Sequence, residues 1–393
     1  MKRFLSGDEA LAEGVRLARP QVISAYPITP QTVVVERLSE MVEDGSLAAE
    51  YVHVESEHSA LSCAIGASAT GARTFTATSS QGLLYMAECL TYAAGGRFPI
   101  VMMNANRALA LPWNIYGDQR DSLSLLDHGW IQVYAENNQE ALDLALMAYA
   151  VAEDPAVRTP VMVNLDGFVL THTYELLHTV DQDKVDAYIP YQQFANRMDL
   201  DNPKATCITA GPLYNMEFRY QQHQAMLNAV EKIKAADKAF GETFGRSYGG
   251  AVEEYRCDDA DYVIVTMGSM TGVAKDRVDK ARADGKKVGL LKMRMVRPFP
   301  CDRVAKVLSG KRAFGVVDRN VSFGWNTGII YEEICASMNR AASFVPNVPF
   351  IAGLGGEDIT ATHIDYAIDK IIAQDGKTGK HDTVWLNREV MGL

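Results

Sequence analysis

The sequence predicts an α/β protein with two parallel-sheet domains. Helix and strand patterns alternate from Asp8 to Leu165, the alternation restarts at Asp261, and the weakly patterned chain between them holds one long helix. At 393 residues the chain also exceeds a single ordinary core. The divisions are expected at 1–185, at 186–255 (a linker with the long helix Arg219–Phe244) and at 256–393.

In the first unit, Leu11, Val15 and Ala18 share one face of a helix over Asp8–Ala18, which Pro20 stops. Strand Val22–Tyr26 runs into Pro27-Ile28-Thr29-Pro30, where two prolines stiffen the loop around Thr29. Helix Gln31–Asp44 leads to a short strand with Tyr51, Val52 and Val54, and Ser56-Glu57-His58 opens a helix of small residues, Ala60–Ala69. Strand Arg73–Ala77 ends in Thr78-Ser79-Ser80-Gln81-Gly82, before a helix around Leu83–Ala94. Strand Pro99–Asn104 ends in Asn104-Ala105-Asn106-Arg107.

Each of these loops has an ordinary explanation. Glu57 can cap a helix and meet its dipole, the hydroxyls of 78–80 can cap the next helix, and a lone arginine is usually a surface ion pair. In a parallel sheet, however, ligands bind outside the carboxyl ends of the strands. Thr29, Glu57, Ser80 and Arg107 all fall there, and an arginine at such an edge is a natural fork for a carboxylate. Their joint placement points to a site.

The rest of the chain is read in the same way. Leu109–Ser124, with Trp113, Tyr116, Asp118, Arg120 and Asp121, reads as a lid or partner contact. Asn138–Ala152 is a helix, and strand Pro160–Leu165 precedes Asp166-Gly167-Phe168. In the second unit strands are expected at Tyr262–Met267, Val288–Lys292, Phe314–Asp318 and Val348–Ala352, the last ending the sheet. Helices are expected at Val273–Asp284, Asp302–Leu308 and within Trp325–Met338, with a stiff turn at Arg297-Pro298-Phe299-Pro300. Gly353-Leu354-Gly355-Gly356 follows the last strand, so tight packing explains it better than phosphate binding.

Composition excludes several classes. The net charge of −11 argues against nucleic acid, and no apolar run is long enough to span a bilayer. Charged residues follow the start too soon for a signal peptide, which points to the cytoplasm. Cys63, Cys89, Cys207, Cys257, Cys301 and Cys335 are scattered with no C-x-x-C, so no metal site is expected in this chain. A P-loop, a nucleophile elbow and H-E-x-x-H are all lacking. A plausible site without a complete catalytic set implies that a partner supplies the rest.

Tyr26–Pro30, Ser56-Glu57, Thr74–Gly82, Arg107-Ala108-Leu109, Gly117-Asp118-Gln119, Asp166-Gly167-Phe168, Arg297–Pro300 and Gly353-Leu354-Gly355-Gly356-Glu357-Asp358-Ile359-Thr360 come in this order. The series resembles the α subunit of the 2-oxoacid:ferredoxin (acceptor) oxidoreductases, which include pyruvate:ferredoxin oxidoreductase. The resemblance implies a thiamine-diphosphate pyrimidine-binding domain followed by a transketolase C-terminal-like domain. It also implies oxidative decarboxylation of a 2-oxoacid to its acyl-CoA, with coenzyme A as substrate. The motif binding the cofactor's diphosphate would lie on a β subunit, and Mg2+ and iron–sulfur clusters on partner subunits. Those partners would be the β subunit, a γ subunit and a ferredoxin-like δ subunit, with ferredoxin or another acceptor taking the electrons.

By the same resemblance Glu57 hydrogen-bonds the cofactor's aminopyrimidine ring and shares a proton with it. Thr29 and Arg107 would hold the 2-oxoacid carboxylate, and Pro27, Ser80 and Gln81 would line the cofactor. Pyruvate is the first expectation. Ala110–Tyr116 is bulkier than a pyruvate enzyme suggests, and Arg120 adds charge after Gln119, which leaves a branched or an aryl acid such as phenylglyoxylate open. A transketolase-like transfer without iron–sulfur partners and a non-catalytic structural subunit are the other readings.

Overall fold

The computed structural model describes residues 1–194, 197–203, 205, 208–377 and 382–392, so Cys207 lies outside the described residues. Among these, seven strands form the larger sheet. Their order is Met295–Arg297, Ile131–Tyr134, Val161–Asp166, Val101–Asn106, Thr74–Thr78, Val22–Ala25 and Glu50–His53. Every neighbouring pair is parallel except the first. The two central strands, Val101–Asn106 and Val161–Asp166, are buried along their whole length, as strands covered on both faces must be.

Side-chain alternation divides the burial between the two faces. Phe75, Ala77, Val101 and Met103 pack with helices Gly7–Ala18, Thr32–Glu43 and Asn138–Ala152. Met102 and Met162 pack on the other face, against Glu57–Ala69 and Ala87–Gly95. The smaller sheet runs Val384–Trp385, Asn347–Ile351, Ala313–Asp318, Tyr262–Met267, Val288–Met293 and Val252–Tyr255. Only its last pair is antiparallel.

Several elements differ from the sequence reading. Val348–Ala352 does not end the second sheet, because the two-residue strand Val384–Trp385 pairs beyond it. Strand Ile131–Tyr134 was not expected, and its four-residue length, interrupted by a glutamine that is buried rather than exposed, explains this. Gln132 is fully buried in the strand and satisfied by donating to the Ser122 carbonyl at 3.2 Å. Tyr174–His178 pairs antiparallel with Lys2–Ser6, two segments too short and too polar to announce themselves. The helix expected around Leu83–Ala94 is two, Ser80–Tyr85 and Ala87–Gly95, broken at Met86. The long helix is longer than read, Pro212–Phe244, with proline at its first position.

The two sheets are interlocked. Met295–Arg297 leaves the second sheet's chain to pair with Ile131–Tyr134 at the edge of the first. Beside this crossing Lys292 donates to Glu136 and Glu140, 2.7 Å each, and Arg294 donates to the other Glu140 oxygen. Glu140, Lys292 and Arg294 are almost wholly inaccessible. Burial would raise the Glu140 carboxyl, but Lys292 and Arg294 hold it down at about 2. No helix among the described residues is long and apolar enough to cross a membrane.

Candidate active site

Four loops meet at the carboxyl edge of the larger sheet, because the strands before them, Val22–Ala25, Glu50–His53, Thr74–Thr78 and Val101–Asn106, are adjacent and parallel. Ser56 caps helix Glu57–Ala69, its hydroxyl accepting from Ser59 N at 3.2 Å. The capping job that could have explained Glu57 therefore belongs to its neighbour. Glu57 is only 8% exposed. Its carboxylate lies against Gly82, where an added Cβ would fall 2.5 Å from Glu57 Oε1 and 2.8 Å from Thr78 Oγ1. Only glycine lets the third loop come this close to the acid. No hydrogen bond among the described residues ends on the Glu57 side chain, whose oxygens stay open to the cleft, and the fully buried Thr78 hydroxyl beside it has no partner.

The remaining predicted residues gather around this cradle. Arg107 is 8% exposed and is not the surface ion pair that lone arginines usually form. Its Nη1 donates to the Thr29 carbonyl at 2.9 Å and its Nε to the Asn114 carbonyl at 3.2 Å. Both acceptors are neutral carbonyls, and burial pushes the guanidinium's pKa down while the nearby Asp121 charge opposes the shift. Thr29 and Pro27 are exposed at the rim, and their loop is pinned by Gln31, whose amide donates to Tyr26 O and Ala77 O at 2.9 and 3.1 Å. Ser80 is fully buried, at φ 51°, and its hydroxyl lies 2.8 Å from Ala108 O and 2.6 Å from Gln81 Oε1, its one proton serving either acceptor. Half-buried Gln81 is the more accessible polar group of that loop. The loop hydroxyls do not cap the helix that follows: Ser79 makes no capping bond and donates to Ala105 O at 2.7 Å.

Asp121 is the organiser that sequence reasoning missed. One carboxylate oxygen accepts from Ser80 N and Arg107 N, both at 3.1 Å, and from Asn104 Nδ2 at 3.3 Å. The other accepts from Asn106 Nδ2 at 2.8 Å and Ser122 N at 2.7 Å. It thereby ties two of the four loops together, although nothing in the string Arg120-Asp121-Ser122 distinguishes it from a solvated loop carboxylate. Arg120, the unexpected charge, is neutralised locally by Asp118 at 2.7 Å.

Full burial pushes the Asp121 carboxyl up to about 6 against the pull of these donors. A folded-state value above the unfolded one stabilises most below about pH 4, and that contribution fades as pH rises through about 6, an effect of roughly 3 kcal/mol. An Asp121→Asn variant lacks this titration. The gap in melting temperature between the full-length wild-type and variant chains is expected to narrow from pH 4 to pH 6.5; a gap that stays constant would refute the shift.

The cradle suits a flat, basic nitrogen heterocycle: a recessed carboxylate open to the cleft, an orphan hydroxyl beside it and a glycine floor. The family profile described as "Pyruvate flavodoxin/ferredoxin oxidoreductase, thiamine diP-bdg" matches residues 13–238, which contain all four loops. "Pyruvate:ferredoxin oxidoreductase core domain II" matches residues 260–364. The chain belongs to the 2-oxoacid:ferredoxin oxidoreductases. Pyruvate synthase subunit PorA of Methanothermobacter thermautotrophicus is 47% identical over 92% of this chain and 93% of its own. Ketoisovalerate oxidoreductase subunit VorA of Pyrococcus horikoshii is 44% identical, covering 96% and 94%.

A solved 2-oxoglutarate:ferredoxin oxidoreductase from Magnetococcus marinus superposes with a TM-score of 0.73 at 19% identity, over 94% of this chain. This chain spans 65% of that longer one. At such identity the likeness speaks for fold alone. The match to the thiamine-diphosphate-binding family covers the four loops and six of the seven strands of the larger sheet.

Proposed function

We propose that this chain is the α subunit of a thiamine-diphosphate-dependent 2-oxoacid:acceptor oxidoreductase, and that pyruvate is its substrate. The observation that carries the reading is Glu57, largely buried with its carboxylate open to the cleft, in a glycine-floored cradle at the strands' carboxyl edge. Thiamine diphosphate, when bound, supplies the nucleophilic carbon and the electron sink that decarboxylation needs.

This chain's residues do the rest. Glu57 holds the ring by a hydrogen bond from its carboxyl oxygen and shares a proton with the ring nitrogen, while Pro27, Ser80 and Gln81 line the ring. Arg107, with Thr29 beside it, orients the 2-oxoacid carboxylate that leaves as carbon dioxide. The overall reaction takes a 2-oxoacid and coenzyme A to acyl-CoA and carbon dioxide, releasing one proton and two electrons. The cofactor's diphosphate and Mg2+ sit on a β subunit. The electrons pass to iron–sulfur clusters on γ and δ subunits, and then to ferredoxin or another acceptor. In this assembly, taken to be cytoplasmic, residues 1–185 bind the pyrimidine, 186–255 link, and 256–393 form the transketolase C-terminal-like domain.

The exposed Leu111 and Trp113 beside Arg107 favour a second reading, the same chemistry on a branched or aryl 2-oxoacid. A panel of pyruvate, 2-ketoisovalerate and phenylglyoxylate, with coenzyme A and a viologen dye on the intact complex, decides between them. Pyruvate is expected to reduce the dye with the largest kcat/KM. Reduction by none of the three would leave the structural-subunit reading.

A further inference from the structure

The second unit meets the loop after Arg107 at Gly355. Gly355 N donates to Asp118 Oδ2 at 3.1 Å, and Asn114 Nδ2 donates to Gly355 O at 2.7 Å. Both partners lie on the loop that follows Arg107. The fit is close: Gly355 has φ 62°, a Cβ there would fall 2.6 Å from Asn114 Nδ2, and one on Gly356 would fall 2.3 Å from Tyr116 Cβ. Gly353-Leu354-Gly355-Gly356 is thus a packing surface for Asn114 and Tyr116.

A second set of bonds secures the same seam. Asp166 accepts from Gln119 Nε2 at 3.0 Å, from Ser269 N at 2.8 Å and from Arg319 Nη1 at 3.2 Å, and Gln119 N donates to Arg319 O at 3.0 Å. The loop from Asn114 to Gln119 is therefore held from the second unit at several points.

What the loop does with this support is hold Arg107. The Asn114 carbonyl accepts from Arg107 Nε, Tyr116 O accepts from Ala108 N at 3.0 Å, and Asn114 Oδ1 accepts from Tyr116 N at 2.7 Å. Asn114 thus bonds Gly355 with its side chain and Arg107 with its backbone. We propose that Gly355 and Asn114 are positioning residues that set the direction of the Arg107 guanidinium, so that the packing of the second unit tunes affinity for the substrate's carboxylate. A planar guanidinium binds a carboxylate through two parallel bonds only when its plane is correctly turned, and this geometry makes a remote hold effective. The inference rests on the proposed carboxylate-binding role of Arg107.

The test uses Gly355→Ala and Asn114→Ala, with Arg107→Lys as reference, in the intact complex. Both positioning variants are expected to raise KM for the 2-oxoacid about tenfold, with kcat and the KM for viologen within about twofold of wild type. In the full-length chain both are expected to speed chymotrypsin cleavage at Trp113 and Tyr116. Faster cleavage with an unchanged 2-oxoacid KM, where Arg107→Lys raises it, would overturn the coupling and leave the proposed function standing. Unchanged cleavage in both variants would also overturn it. An Arg107→Lys enzyme with wild-type KM would instead remove the role of Arg107 and the inference with it.

Discussion

Glu57→Gln is expected to lower kcat of the intact complex by about 10²- to 10⁴-fold, the usual contribution of a positioned acid–base group. The substitution keeps the side chain's length and one acceptor oxygen, but an amide cannot exchange a proton with a ring nitrogen. The alternative explanation makes a different forecast. If Glu57 only complements the dipole of helix Glu57–Ala69, the loss is about 0.5 kcal/mol of stability and no rate. Ser56 already caps that helix, so little structural work is left for the acid. Steady-state viologen reduction, paired with size-exclusion chromatography, separates the outcomes: an assembled complex with unchanged turnover would strip Glu57 of its role.

Glu140→Gln is expected to cost about 3 kcal/mol of stability, because it takes the close counter-charge from buried Arg294 and one of the carboxylates from buried Lys292. Glu136 remains as a partner for Lys292, whereas Arg294 loses its close carboxylate and keeps only Asp237 at 3.6 Å. The pH dependence follows from the depressed carboxyl. Its stabilisation is present above the unfolded value near 4.5 and is lost as pH falls towards 2. Wild-type chain should therefore lose stability steeply below pH 4.5, and the variant, already destabilised at neutral pH, should show a shallower acid limb. Thermal melts of both full-length chains from pH 3 to 7 check this; parallel limbs would show that Glu140 does not carry the acid sensitivity.

Much of the site was legible because its signals are local. Pro27-Ile28-Thr29-Pro30, Ser56-Glu57, Ser79-Ser80-Gln81-Gly82 and Asn106-Arg107 each end a short apolar strand, and parallel connectivity places all four loops at one edge. Asp121 was not legible, since its importance comes from donors 14 and 41 residues away, Arg107 N and Ser80 N. The Gly355 contact with Asn114 spans 241 residues of sequence, beyond any periodicity. Strand Met295–Arg297 was not read, and its last residue was placed in the stiff turn at Arg297–Pro300, because a three-residue strand acquires its pairing only from the edge it meets.

The sequence by itself determined two α/β units and the loops that could hold chemistry, because helix and strand periods and proline-bounded turns are properties of neighbouring residues. Only the tertiary structure decided that Ser56 rather than Glu57 caps the helix, that Arg107 faces carbonyls rather than an acid, and that the second unit braces the first. Those outcomes depend on which buried polar groups find partners, and a buried group's partner is chosen by the packing of distant segments.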